Sequence, residues 1–156
     1  MVKRQGKSLL VIACSRRKVH RVGAIPAMER YDGVNYQVLR KAVREGRWPE
    51  GVDLLILSAK HGLVEPDVCI EEYDQLMTPE RARELWPEAR PALSQRVDRG
   101  EFDEVFLNLG KNYRLAIDGW EAELSCRPHV TYAQGGIGQK ASAMLNWLRG
   151  KPEANR

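Results

Sequence analysis

The sequence lacks the long apolar segments that membrane-bound and exported proteins carry. No run approaches the roughly 18 apolar residues of a membrane-spanning helix. The apolar run Ser8–Cys14 follows a basic opening, but it is too short for the core of a signal peptide. We therefore expect a cytoplasmic protein that has no membrane partner.

Cysteine is scarce and its positions are widely separated. Cys14, Cys69 and Cys126 form no C-x-x-C pair, so neither a disulfide framework nor a structural zinc site is indicated. The metal-binding patterns H-E-x-x-H and D-x-D-x-D-G are also absent from the sequence. We predict no metal and no cofactor, and each cysteine is expected to be a small packed residue.

Length and composition indicate one globular domain. The chain has 156 residues, of which 43% are hydrophobic and 29% are charged, and this is enough to bury a sizeable core. We assign residues 1–150 to a single α/β domain and residues 151–156 to a disordered tail. Four short apolar runs are predicted to be strands: Ser8–Ala13, Val52–Leu57, Glu104–Leu107 and His129–Ala133.

Helical segments separate these strands. Asn35 is expected to cap a helix over Tyr36–Glu45, and Thr78 is expected to cap another, which Pro87 and Pro91 should break into two. Two further helices are predicted from their apolar faces: Tyr113, Ala116, Trp120 and Leu124 after a cap at Asn112, and Ala141, Leu145 and Leu148 near the end. The alternation predicts a three-layer α/β fold, with a mostly parallel sheet of four or five strands and helices on both faces.

The ends of the predicted strands carry small or polar residues. Right-handed crossovers place the carboxyl ends of parallel strands at one edge of a sheet, where ligands bind in open α/β folds. The sequence therefore predicts a ligand site at this edge. Four segments leave the strands there: Cys14-Ser15-Arg16, Ser58-Ala59-Lys60-His61-Gly62, Asn108-Leu109-Gly110 and Gln134-Gly135-Gly136.

Two features of the chain suit an anion. The net charge is +4, and seven cations lie within the first 21 residues, which fits either a phosphate-bearing partner or a solvated face. Gly135, Gly136 and Gly138 open the last helix, where glycines let backbone N–H groups approach a phosphate or carboxylate. The alternative is a plain glycine turn, and G-x-x-x-x-G-K-[ST] is not matched.

Cys14 follows a buried strand and precedes several cations, which could lower the pKa of its thiol and make it a nucleophile. A tyrosine-phosphatase loop needs arginine six positions after the cysteine, and this chain has His20 there. We therefore favour ligand binding by Ser15 and Arg16, with Cys14 packed beside them.

The segment after the second strand offers groups for acid–base chemistry. His61 could act as a general acid or base and Lys60 could contact a phosphate, although an exposed lysine and a loop histidine are equally compatible. In the long loop that follows, Asp67 or Asp74 could bind a ribose or act as a base, and Tyr73 could stack on a nucleobase. Tyr31 could reach the same edge, unless Asp32-Gly33 is only a turn.

Taken together, these motifs resemble a bacterial family of uncharacterised domains related to the peroxide-stress protein YaaA. The resemblance implies an α/β domain with a DNA-linked or nucleotide-linked role in stress response. Related segments also occur in proteins of deazaguanine tRNA modification. The matching residues are Cys14-Ser15 with Lys18, Ala27 with Tyr31 and Gly33, Leu57–Leu63 with Pro66-Asp67, Tyr73-Asp74, and Gly110 with Tyr113.

Two hypotheses follow. The first is an enzyme that acts on a nucleotide, nucleobase or nucleic acid at the glycosidic bond, as a hydrolase or transferase. The second is a non-catalytic DNA- or RNA-binding protein of the stress response; an enzyme for another small phosphorylated substrate fits the physical observations alone. The predicted catalytic residues are His61, Asp67 and Asp74. The predicted ligand-binding residues are Cys14, Ser15, Arg16, Lys18, Tyr31, Ser58, Lys60, Gly62, Tyr73, Asn108, Gly110, Tyr113, Gly135, Gly136 and Gly138.

Overall fold

The computed structural model describes residues 6–151 and is built on a five-stranded sheet. Residues 152–156 of the predicted tail, and the basic residues Lys3 and Arg4, lie outside this range. The sheet strands are β1 (Ser8–Ala13), β3 (Val52–Ser58), β4 (Gly62–Val64), β6 (Glu104–Asn108) and β7 (His129–Tyr132). They lie in the order β4-β3-β1-β6-β7, and only β4 is antiparallel to its neighbour.

The apolar runs form the strands because both faces of the sheet are covered. In β1, Leu9 to Ile12 are fully buried, and Leu10 is opposite Leu54 of β3 and Phe106 of β6. Such runs cannot face water on either side, which is typical of parallel sheets. The predicted α/β fold with a mostly parallel sheet is therefore confirmed.

The helices occupy both faces of the sheet. They are α1 (Ala27–Arg30), α2 (Val34–Arg44), α3 (Pro79–Gly100), α4 (Lys111–Leu115) and α5 (Ile137–Arg149), with a 3-10 turn at Trp120–Glu123. α3 packs with α4 and the 3-10 turn, whereas α2 and α5 meet at a shared surface pocket. The chain moves from β1 to β3 and then back across β1 to β6, so right-handed crossovers place α2 and α3 on opposite faces. Within residues 6–151, no helix has the length and apolar character needed to cross a membrane.

The first long helix begins earlier than its capping pattern predicts. Its N-cap is Gly33, and no side chain caps it, so the predicted cap at Asn35 is wrong. The buried positions are Tyr36, Leu39 and Ala42, while Val43 is 56% exposed. The residues of α2 that face the core are therefore three positions apart, and Val43 lies outside this stripe and faces water.

The predicted break at Pro87 and Pro91 is also wrong, because α3 is continuous across both prolines. Each proline lacks an N–H donor, which normally interrupts a helix. Here Pro87 is exposed and Pro91 is half-buried, so the carbonyls that lose a donor lie away from the core. The opposite stripe, including Leu85 and Leu93, packs into the core and keeps the helix in one piece.

The predicted helix that begins near Asn112 is much shorter in the structure. The Asn112 amide donates to the carbonyl of Met77 at 3.0 Å instead of capping a helix. α4 ends at Leu115, and Gly119, with φ of +79°, turns the chain into the 3-10 segment. A left-handed glycine of this kind ends helical structure, which the apolar spacing alone did not indicate.

The connection after β3 contains strands that the sequence pattern did not predict. β4 folds back on β3 as a hairpin, with Gly62 opposite Ser58. A second, two-stranded sheet joins β2 (Ile25–Pro26) to β5 (Cys69–Ile70). The fully buried Arg30 holds this layer, because its guanidinium donates to the backbone carbonyls of Val19, Arg21, Gly23 and Ile70.

Candidate functional site

A cavity of about 380 Å³ lies at the carboxyl ends of β1 and β6. The chain runs outward from β1 in one direction to β3 and in the other to β6, so this is the point where the strand order reverses. Open α/β sheets bind their ligands at such points. We call it the switch-point cavity. Six predicted site residues line it: Cys14, Ser15, Arg16, Asn108, Gly110 and Tyr113.

Positive charge surrounds the switch-point cavity. Among residues 6–151, the side chains of Arg16 and Lys140 have no hydrogen-bond or ion-pair partner. α2 begins at Val34 and α5 at Ile137, and both residues line the cavity. The first turn of a helix presents unpaired backbone N–H groups and the positive end of its dipole. Two free cations and two helix starts therefore favour an anion in this cavity.

The end of β1 is fixed from several sides. The Cys14 Sγ lies 3.0 Å from the Tyr113 hydroxyl and accepts a hydrogen bond from the Ala59 N–H at 3.4 Å. The Tyr36 hydroxyl donates to the carbonyl of Ala13 at 2.8 Å. Burial raises the pKa of Tyr36 and of Tyr113 above the usual range, so both hydroxyls are neutral donors at neutral pH. Cys14 thus packs as part of a rigid wall.

Beside this wall lies a hydroxyl cluster formed by Tyr31, Ser58 and Tyr73. The Tyr31 hydroxyl lies 2.6 Å from that of Tyr73 and 3.2 Å from the Ser58 Oγ, and the Tyr73 hydroxyl lies 2.9 Å from the same Oγ. The Ser58 Oγ also accepts the backbone N–H groups of Lys60 and His61. Burial raises the pKa of Tyr31 to about 12 and holds the pKa of Tyr73 above its usual range.

Lys18 lies between the loop after β1 and the hydroxyl cluster. Its side chain is buried, with 9% exposure. Its Nζ donates to the carbonyls of Ser15 at 3.0 Å and Arg16 at 3.3 Å, and it lies 4.5 Å from the centre of the Tyr73 ring. Burial lowers the pKa of Lys18, while the nearby acidic groups oppose that shift. Lys18 therefore holds the loop that carries Arg16, and its predicted role in ligand binding stays a prediction.

A second cavity, of about 650 Å³, adjoins the first, and Arg16 and Arg17 line both. We call it the outer cavity, and its walls also carry Lys18, His20, Asp32, Glu72, Tyr73 and Asp74. Arg17 pairs with Asp32 at 3.3 Å, and His20 pairs with Glu72. Asp74 has no hydrogen-bond or ion-pair partner among residues 6–151, which leaves its carboxylate open to a ligand.

Several predicted site residues lie away from the switch-point cavity. Asp67 lines a different cavity at the start of β3, beside Trp48, so the structure does not bring it to the predicted edge. Lys60 and His61 form the β3–β4 hairpin turn with Ala59, and Gly62 begins β4, so this segment is a hairpin and not the predicted exit of a parallel strand. The His61 ring meets the edge of the Tyr73 ring at 5.4 Å, and burial together with Lys60 lowers the pKa of His61.

The glycine-rich turn serves the helix and does not line the cavity. Gly135 has φ of +91°, and the Gly136 N–H donates to the Gln139 side chain at 2.8 Å. One donor of the predicted anion cradle of Gly135, Gly136 and Gly138 is thus occupied by a side chain of the same helix, and anion binding by the turn stays a prediction. The cavity is instead lined by Ile137 and Lys140, one helical turn apart.

Two further residues line the switch-point cavity, although the sequence placed them only in a helix and not in the site. Asn35 and Tyr36 line the switch-point cavity because α2 starts two residues earlier than predicted. The Asn35 Oδ1 is buried and has no hydrogen-bond partner among the described residues. Correct placement of the start of α2 would have identified both residues.

Comparisons with known proteins indicate the family but name no ligand. No curated protein matches the chain in sequence. The crystal structure of AF0587, a protein of unknown function, is similar, with a TM-score of 0.57 and 15% sequence identity. The match covers 95% of this chain and 46% of that protein, so the chain spans about half of the AF0587 chain, and the likeness concerns the fold alone. Residues 9–148 match the family described as "Family of unknown function (DUF6884)", and the chain therefore belongs to that family.

Proposed function

We propose that the protein binds a nucleotide or nucleic-acid base, with a phosphate of the ligand in the switch-point cavity. The observation that carries the proposal is the set of free cations, Arg16 and Lys140, beside the starts of α2 and α5 in one cavity. A phosphate neutralises both cations and accepts from the helix N–H groups. No carboxylate lines this cavity among the described residues, so no negatively charged side chain there repels an anion.

The two adjoining cavities fit the two ends of a nucleotide. The switch-point cavity, at about 380 Å³, lies within the range of small-ligand sites. The outer cavity offers the Tyr73 ring for stacking and the free Asp74 carboxylate as an acceptor for ribose hydroxyls or base amino groups. Arg16 lines both cavities, so a ligand held there reaches from one to the other.

Within this proposal, the reaction is cleavage or transfer at the glycosidic bond. Asp74 is the preferred acid–base group, because its carboxylate is free and lies next to Tyr73 in the outer cavity. His61 is the second candidate, since its lowered pKa keeps the imidazole neutral and able to accept a proton. Asp67 has no part in it. The sequence resemblance to YaaA-related domains agrees with a nucleotide-linked role.

The alternative is a non-catalytic DNA- or RNA-binding protein, which the exposed cations near the start of the chain favour. Arg17 and Arg21, however, are already paired with Asp32 and Glu29, and Lys18 is buried. These pairs reduce the charge available to a phosphate backbone, so a small nucleotide is the better fit. Affinity for an oligonucleotide that falls steeply with salt would favour the alternative instead.

The binding proposal is tested by calorimetric titration with nucleoside monophosphates, the matching nucleosides and inorganic phosphate. Arg16→Glu and Lys140→Glu should each weaken binding of the monophosphates by about tenfold or more, since charge-assisted hydrogen bonds are lost. Lys41→Glu is the matched control, because it makes the same charge change at the far end of α2. Equal affinities for the three variants, or no binding of any monophosphate, would reject the proposal.

The catalytic step is tested separately by incubating the protein with nucleosides, nucleotides and modified or damaged DNA and separating any released base by chromatography. Asp74→Asn should abolish base release, whereas Asp67→Asn should leave it unchanged, because Asp67 lies in a different cavity. If no base is released from any substrate, the catalytic step is wrong, while the binding proposal still stands on its own titration.

A further inference from the structure

A cavity of about 550 Å³ lies at the start of β3, at the opposite end of that strand from the hydroxyl cluster. We call it the β3-start cavity. Its apolar wall includes Met28, Val43, Trp48 and Leu54. Four charged residues complete it: Asp53, Glu65, Asp67 and Arg96. The proposed nucleotide site uses none of these residues.

Negative charge is in excess around this cavity. The Arg96 guanidinium donates to the Glu65 Oε1 at 3.0 Å and to the Asp53 Oδ2 at 3.4 Å. The Asp67 carboxylate has no hydrogen-bond or ion-pair partner within residues 6–151. Three carboxylates and one guanidinium therefore line this cavity, and only Asp53 and Glu65 are paired with Arg96, so a further positive charge would be favoured there.

One of these carboxylate oxygens also lacks a donor. The Glu65 Oε2 is shielded from solvent and, among the described residues, has no hydrogen-bond partner, although the side chain as a whole is 42% exposed. Leaving a buried acceptor unsatisfied costs free energy, and an ionised acceptor costs more than a neutral one. A ligand that brings an N–H donor to this oxygen would remove that cost.

The walls are fixed before any ligand arrives. The backbone N–H of Met28 donates to the carbonyl of Pro66 at 3.0 Å, and the N–H of Ala27 donates to the carbonyl of Val68 at 2.8 Å. These bonds hold the segment that carries Asp67 against α1. The Trp48 Nε1 donates to the carbonyl of Val52 at 2.9 Å, so the indole is oriented and its polar group is already used.

We propose that the β3-start cavity binds a small organic cation, in which an ammonium or guanidinium group is attached to an apolar body. The cation supplies donors to Glu65 and charge to Asp67, while the apolar body packs on Met28 and Leu54. The Trp48 ring adds a favourable surface for a cation, because its face carries negative charge. This site has the opposite charge preference from the switch-point cavity, so either proposal can fail without the other.

The test is calorimetric titration of the full chain with phenethylammonium and with butylguanidinium, an aromatic and an alkyl source of the same chemistry. At least one should bind with a Kd of about 1 mM or tighter. The neutral phenylethanol and the anionic phenylpropionate have a similar shape and should bind about tenfold more weakly or not at all. In parallel, the indole N–H signal of Trp48, assigned with Trp48→Phe, should shift more than those of Trp86, Trp120 and Trp147.

Single-residue variants show which carboxylates contribute to binding of the cation. Glu65→Gln should weaken binding of the cation by about tenfold, and Asp67→Asn by about threefold, because each removes one charge and keeps the side-chain volume. Asp67→Asn breaks no hydrogen bond or ion pair that the structure shows, so it keeps the test valid if Glu65→Gln folds poorly. Glu88→Gln, at an exposed site on α3, is the control.

Three results would overturn this proposal. The first is that neither cation binds at concentrations up to about 10 mM. The second is that phenylethanol binds as tightly as phenethylammonium, which would indicate an apolar pocket without charge selection. The third is that Asp67→Asn and Glu65→Gln both bind the cation as the unaltered chain does.

Discussion

The hydroxyl oxygens of Tyr31 and Tyr73 lie 2.6 Å apart, and the Ser58 Oγ hydrogen-bonds to both. This contact joins three segments that are far apart in the chain: the turn before α2, the end of β3 and the loop before α3. Because Asp74 follows Tyr73 directly, the same contact fixes the position of the outer-cavity carboxylate. The hydroxyl cluster thus links the stability of the fold to the geometry of the proposed site.

Ser58→Ala should therefore destabilise the protein more than Tyr73→Phe does. Ser58 is fully buried, and its loss removes one hydrogen bond from each tyrosine hydroxyl and the acceptor of the Lys60 and His61 N–H groups. We expect a loss of about 2–3 kcal/mol in the free energy of unfolding for Ser58→Ala and about 1 kcal/mol for Tyr73→Phe. Denaturant unfolding measures both.

The control for the serine change is Ser142→Ala, at an exposed position of α5. It should change the free energy of unfolding by no more than about 0.5 kcal/mol. Equal effects of Ser58→Ala and Ser142→Ala would show that the hydroxyl cluster does not stabilise the fold.

Stability should fall in alkaline solution as a result of the buried tyrosines. Burial raises the pKa of all five, to about 12 for Tyr31 and Tyr132, and above the usual range for the other three. Between about pH 10 and pH 12 the unfolded chain loses tyrosine protons that the folded chain keeps, so stability is complete below pH 10 and declines as pH rises. The free energy of unfolding should be lower at about pH 11 than at about pH 9, by at least ~1 kcal/mol.

Lys18 acts in the opposite direction, because its pKa is lowered in the folded state. The unfolded chain therefore binds more protons at this lysine, and its contribution to stability increases with pH. One lysine does not outweigh five tyrosines.

The tyrosine pKa values can be followed by tyrosinate absorbance in the near ultraviolet. In the folded chain this absorbance should rise at higher pH than in the unfolded chain. Coincident titration of the folded and unfolded chains would contradict the prediction.

The strands and their parallel arrangement were predictable because their signal is local. Continuous apolar runs such as Val52–Leu57 can only be buried on both faces, and their alternation with helices requires crossover connections. The meeting of Cys14 and Asn108 at one edge then follows from the handedness of those connections. For this reason the edge of the sheet where the switch-point cavity lies follows from the sequence pattern.

Other features depend on contacts that no local pattern contains. β4 is three residues long and exists because it pairs with β3, so Gly62–Val64 carries no strand signal of its own. Asp67 is placed by backbone bonds between α1 and its own loop, which take it away from the predicted edge. Lys140 was missed because only the packing of α5 shows which side of its first turn faces the cavity.

The glycine turn before α5 gives a direct comparison between two neighbouring positions. Gly135→Ala should destabilise the protein by about 2 kcal/mol, because φ is +91° there and an added Cβ would lie 2.1 Å from the Gln139 Oε1. Gly136→Ala should cost less, about 0.5–1 kcal/mol, since its φ is −76° and no atom lies near an added Cβ, so that only the preference for glycine over alanine at the N-cap is lost. Thermal unfolding of both variants measures the difference. Equal losses would mean that the left-handed turn is unimportant.

A substitution at Pro87 should stabilise the fold, in contrast to those at the glycine turn. It lies inside α3 on the exposed side, where it leaves the carbonyl one turn earlier without its helical donor. Pro87→Ala restores that donor and a residue of high helix propensity, so the free energy of unfolding should rise by about 1–3 kcal/mol. Pro79→Ala is the matched control, because Pro79 begins the helix, where its N–H would have no partner and proline is favoured. If Pro87→Ala gains no more than Pro79→Ala, α3 has adapted to its proline and the carbonyl is satisfied by water.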